Sequence, residues 1–179
     1  AFPYRLYALS NAGSLAALVA YPFAVEPFFT TRQQLSTWSW MYGAFACLCV
    51  CAAVRARAGG ETAAAARAAA PRRSDYVWWM ALAACGSALL VATTNHLTQN
   101  IAPMPLLWIL PLAAYLLSFI LCFEGRGFYR PGWVRWLLPP VLGAMLYGYL
   151  QPHSVGGVGP QIALYTAGLW LACMFCHGE

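Results

Sequence analysis

An all-α fold, a polytopic bundle of transmembrane helices, is predicted from three observations. The 179-residue chain is 61% hydrophobic and only 8% charged, where a soluble domain carries about a quarter charged residues. Its apolar runs reach the roughly 20 residues that cross the hydrocarbon core of a bilayer. Its ten basic residues are all arginines, gathered at the ends of those runs. A surface so poor in charge is solvated by lipid rather than by water.

Six spans follow in order: Leu6–Val25, Trp38–Val54, Tyr76–Thr94, Pro105–Phe123, Trp133–Leu150 and Ile162–Phe175. Pro22 and Pro27 mark the end of the first. Tryptophan and tyrosine crowd the span ends, as at Trp38, Trp40, Tyr76, Trp78, Trp79, Trp133 and Trp136, where amphipathic rings sit at headgroup level. Small residues at four-residue spacing, Ala12-Ala16-Ala20 and Ala84-Ala88-Ala92, let helices approach closely in lipid. The first and third spans are therefore expected inside the bundle or against a partner. Pro111, Pro139 and Pro140 fall within spans, each removing a backbone donor.

Arginine placement orients the bundle. Arg5 precedes the first span; Arg55, Arg57, Arg67, Arg72 and Arg73 lie between the second and third; Arg126, Arg130 and Arg135 lie between the fourth and fifth or just inside it. Only Arg32 belongs to the opposite side. Positive residues collect on the cytoplasmic face, so the N-terminus and the Arg-rich connections are assigned there. The formal charge of +5 thus reads as membrane orientation, and no nucleic-acid partner is expected. The Ala- and Arg-rich connection 56–75 is expected as a cytoplasmic loop at anionic headgroups.

Polar groups at membrane depth are the candidates for function, since each costs free energy unless partnered. Thr93, Thr94, Asn95, His96, Thr98 and Gln99 cluster at the outer end of the third span, before Asn100 and Pro103-Met104-Pro105. Asn11 lies early in the first span and Glu26 beyond its outer end. Asn11, Glu26, Asn95, His96 and Gln99 form the candidate polar site, which could serve a small polar solute or a proton. At the other face Cys173-Met174-Phe175-Cys176-His177 spells the signature of covalent haem attachment. Its placement at a cytoplasmic helix end argues against that chemistry. The other cysteines, Cys47, Cys49, Cys51, Cys85 and Cys122, fall inside spans and read as small apolar packing residues. No catalytic set, cofactor site or metal site is expected. The Val155–Pro160 turn lacks the Lys and Ser/Thr of a phosphate loop.

Four stretches resemble a bacterial family of membrane proteins related to spermidine synthase. They are Tyr7 to Leu15 with Tyr21-Pro22 and Val25-Glu26-Pro27; Thr93-Thr94-Asn95-His96-Leu97-Thr98-Gln99; Pro105 to Pro111 with Tyr115-Leu116; and Cys176-His177-Gly178-Glu179. The resemblance implies a multispanning, transporter-like region of the bacterial cytoplasmic membrane, normally joined to a soluble aminopropyltransferase-like domain. It implies that this chain is an internal piece, and makes Cys176, His177 and Glu179 a family motif at a helix end. The catalytic domain is absent from these residues, so no enzyme activity is assigned to them. The expected function is a non-catalytic membrane module, either an anchor or an accessory subunit of a larger complex. Its expected partners are the lipid bilayer and other membrane-embedded chains or segments. The alternative is part of a small-solute transporter; a c-type haem protein using Cys173, Cys176 and His177 is a distant third.

Overall fold

A computed structural model describes residues 2–58, 71–102, 104, 106–124, 129–152 and 154–179. The described residues are all-helical, with six α-helices: α1 (Phe2–Ala20), α2 (Thr31–Ala58), α3 (Arg73–Asn95), α4 (Ile109–Phe123), α5 (Pro131–Leu150) and α6 (Val158–Gly178). Among the described residues, four stretches are long and apolar enough to cross a membrane: Arg5–Val25, Thr31–Arg57, Arg73–Ile101 and Val158–Gly178. The 15-residue α4 is apolar but shorter, and α5 has 20 residues with Pro139 and Pro140 inside it. Arg67, Arg126, Pro103 and Pro105 lie outside the described residues.

Two π-helical turns extend α1 and α3. Tyr21–Val25 follows α1 and closes with Glu26 N–H donating to the Tyr21 carbonyl at 3.0 Å. Pro22 has no N–H to give the carbonyl four residues back, which favours the wider turn. His96–Ile101 follows α3, and Ala102 N–H closes it on the Leu97 carbonyl at 3.1 Å. Ala102 is extended, with φ −152° and ψ 120°, as a residue before proline prefers.

Helix α2 begins at Thr31, seven residues ahead of the expected span. A reciprocal cap starts it: Gln33 N–H donates to Thr30 Oγ1 at 3.4 Å, and Thr30 N–H to Gln33 Oε1 at 3.0 Å. Pro131 occupies the first turn of α5, where a missing donor costs nothing. Before α6 the chain turns on Gly156 and Gly157, with φ 61° and 76°, a backbone that glycine adopts without strain.

Two compact units result, one of residues 1–19 and 73–179, the other of residues 20–72. In the first, α6 is the central helix. It packs on α3, α4 and α5 and buries Tyr165, Gly168, Leu169, Leu171, Ala172, Cys173 and Met174. Helix α5 runs antiparallel to it. Arg135 meets Glu179 at one end, while at the other a Cβ on Gly148 would touch Leu164 and Tyr165. Helix α3 is antiparallel to α6 as well, with Gly86 against Cys176 and His177 and His96 against Tyr165. The buried face of α3 and its π turn carries Leu82, Gly86, Thr93 and Leu97.

The alanine ladder lies on another face of α3. Ala84, Ala88 and Ala92 are exposed, because they lie two residues out of phase with Leu82 and Gly86. In α1, Ala12 is half-buried, but Ala16 and Ala20 are exposed. Cysteine packing is likewise mixed: Cys173 is buried and Cys122 and Cys176 are half-buried, whereas Cys47, Cys49, Cys51 and Cys85 are exposed. In the second unit residues 31–57 are exposed apart from half-buried Gln34.

Candidate functional site

Two side-chain clusters stand at opposite ends of the α3–α6 pair. The first forms on the π turn, where the wider helix sets His96 and Asn100 on one side. The Asn100 amide nitrogen lies 3.2 Å from His96 Nδ1. With the amide as donor, Nδ1 accepts, and the proton of the neutral imidazole sits on Nε2. The ring tilts against Tyr165 at a centroid distance of 4.4 Å and against Tyr149 at 5.5 Å. Tyr165 is anchored in turn, its hydroxyl donating to the Met145 carbonyl at 3.0 Å. Below the ring, Leu97, Ala102, Leu107 and Tyr165 form a buried apolar cluster.

Of the five residues expected at the polar site, only His96 acquires tertiary partners here. Asn95 and Gln99 are exposed. Asn11 donates its amide to the Tyr7 carbonyl of its own helix at 2.8 Å. Glu26 is exposed and belongs to the other unit. The neighbouring threonines also bond to their own helix, Thr94 to the Leu90 carbonyl at 2.7 Å and Thr98 to the Thr94 carbonyl at 2.8 Å. Tyr149 and Tyr165 were missed from sequence. They resemble ordinary interfacial tyrosines, and only the antiparallel return of α5 and α6 brings them to the imidazole.

The second cluster contains the Cys-His-Gly-Glu stretch, and packing rather than water surrounds its histidine. His177 Nδ1 lies 3.1 Å from Ser118 Oγ, which donates its one proton to the Tyr115 carbonyl at 2.7 Å. Nδ1 is therefore the donor to Ser118. Tyr115 and Phe119 meet the imidazole edge-on, at 4.9 and 5.1 Å. A Cβ on Gly86 would stand 3.8 Å from Nε2 and 3.7 Å from Cys176 Cβ, so a glycine there lets α3 close on both side chains.

Glu179 lies just beyond. Tyr129 donates its hydroxyl to Oε1 at 2.8 Å, and Arg135 donates to Oε1 at 2.7 Å and Oε2 at 2.9 Å. These donors hold the Glu179 carboxyl below its usual range, Tyr129 first and Arg135 second. Burial, reinforced by the bond to Glu179, raises the Tyr129 phenol.

Haem attachment does not suit this arrangement. Both sulfurs must reach the macrocycle, yet Cys173 is 0% exposed within the packed C-terminal half of α6. Among the described residues, no group of three or more His, Cys, Asp or Glu is placed to hold a metal ion. The arrangement can orient two imidazoles and tie helix ends together. Compared with family models, curated proteins and solved structures, the chain matches none.

Proposed function

We propose that the chain is a non-catalytic integral membrane module, the membrane-embedded region of a spermidine synthase-like protein or an accessory subunit of a larger membrane complex. One observation carries this reading. Several polar side chains of the long helices are spent on their own backbone while large apolar ones face outward. Asn11, Ser14, Ser39, Thr94 and Thr98 each donate four residues back, so these five side chains can sit at membrane depth with their donors satisfied. Trp38, Trp40, Met41, Phe45 and Leu48 of α2 are exposed, Trp40 at 79%. Such a surface is solvated by lipid or by another chain. In the proposed topology α4 and α5 also cross, the N-terminus is cytoplasmic, and the Arg-rich connections lie with it in a bacterial cytoplasmic membrane. The antiparallel packing of α6 on α3 and α5 supports that alternation.

The module stays with the membrane pellet through alkaline carbonate extraction, and labels placed beside Arg72 and Arg130 react only from the cytoplasmic side. Release into the supernatant, or opposite-side labelling of those two positions, would overturn the proposal. A transporter part is the second reading. It is favoured by the π turn that holds His96 between two tyrosines, since such turns recur at functional sites. On that reading, water-soluble reagents reach a cysteine placed at His96 in the native bilayer.

A further inference from the structure

A groove of about 330 Å³ lies between the first turns of α5 and the last turns of α6, apart from both histidine clusters. Helix α5 and the residue before it contribute Arg130, Trp133, Val134 and Leu137, spaced as one helix face; α6 contributes Trp170 and Met174. The groove is polar at one end only. Arg130 stands just outside the first turn of α5, whereas Leu137 lies two turns in. Arg135, one turn along, is engaged by Glu179. Arg130 is exposed and makes no ion pair with any described residue. Trp133 beside it is 72% exposed, as a ring at headgroup level would be.

We propose that this groove binds an anionic glycerophospholipid, with an acyl chain along Leu137, Trp170 and Met174 and the phosphate on the Arg130 guanidinium. The assignment rests on the membrane reading above. An amphiphile matches a groove that is cationic at the interface and apolar toward the bilayer interior. A soluble anion would leave the apolar wall uncovered.

The test is native mass spectrometry of the full chain in detergent, titrated with phosphatidylglycerol or phosphatidylcholine. The expected result is a saturable single adduct that favours phosphatidylglycerol. Arg130→Gln lowers that preference about fivefold, the size expected of one juxtamembrane arginine at an anionic surface. Arg57→Gln, in the last turn of α2, leaves it unchanged. Leu137→Trp fills the groove and removes the adduct with either lipid; Leu137 is 47% exposed, so the added bulk extends into open space. Equal binding of the two lipids by the wild type, or an unchanged preference in Arg130→Gln, overturns the assignment. So does a photo-crosslinker at Trp133 that captures protein instead of lipid. A chain that remains inserted in phosphatidylcholine nanodiscs but shows no lipid preference sinks the groove alone. A chain that leaves the bilayer sinks the membrane reading.

Discussion

Glu179, Tyr129 and Arg135 tie the end of α6 to the start of α5 through one carboxylate. Because the folded Glu179 carboxyl is held below its usual range, the contribution is present above the unfolded value of about 4.3. It is lost as the pH falls through the lower folded value. Glu179→Gln is expected to lower the thermal midpoint slightly at pH 7, as suits a pair with Arg135 at 60% exposure. The gap from wild type should close on acidification below about pH 4. A gap that stays constant from pH 7 to pH 3 would show that the carboxylate is not its source. Ser118 is buried, and its role is steeper. Ser118→Ala leaves His177 Nδ1 without its acceptor and should cost about 1–2 kcal/mol in detergent unfolding. An unchanged midpoint would remove Ser118 from the account of that helix end.

Between elements, close approach governs the packing. A Cβ on Gly168 would clash with Met145 Sδ and stand 3.2 Å from Val141 Cγ1. The methionine can swing aside but the β-branched valine gives little, so Gly168→Leu is expected to destabilise the α5–α6 contact by about 1–3 kcal/mol. Gly13→Leu, where nothing lies within 4 Å of the added Cβ, is the control, and equal losses in the two variants would refute the contact. At the start of α2, Thr30→Ala removes one half of the reciprocal cap and should cost about 1 kcal/mol. The check is faster hydrogen exchange at residues 31–34, with residues 45–50 unaffected. That cap was legible, since Thr30 and Gln33 stand at the required spacing, but the span reading began at the first dense apolar residues instead. The π turns were not legible. A π turn is defined by a hydrogen bond one residue longer than usual, and apolar periodicity does not encode it.

Across the described residues, hydrophobic length predicted helices that the structure contains, with boundaries displaced by up to seven residues. Four of them have the length and composition to cross a membrane. Those properties are local: a run of about 20 apolar residues cannot be solvated by water, and its backbone satisfies itself only as a helix. The resemblance to spermidine synthase-like membrane proteins also came from local stretches, and it contributes to the proposed function alone.

What the sequence determined by itself is therefore the helical class, the order of the elements and the apolar character of their surfaces. Only the tertiary structure decided which face of each helix is buried. It turned Ala84, Ala88 and Ala92 outward and Gly86 inward, brought Ser118 to His177 across 59 positions, and set His96 between Tyr149 and Tyr165. The physical reason is that almost every face of these helices is apolar. With little hydrophobic contrast around the axis, shape complementarity and a few hydrogen bonds choose the contacts, and both depend on partners distant in the chain.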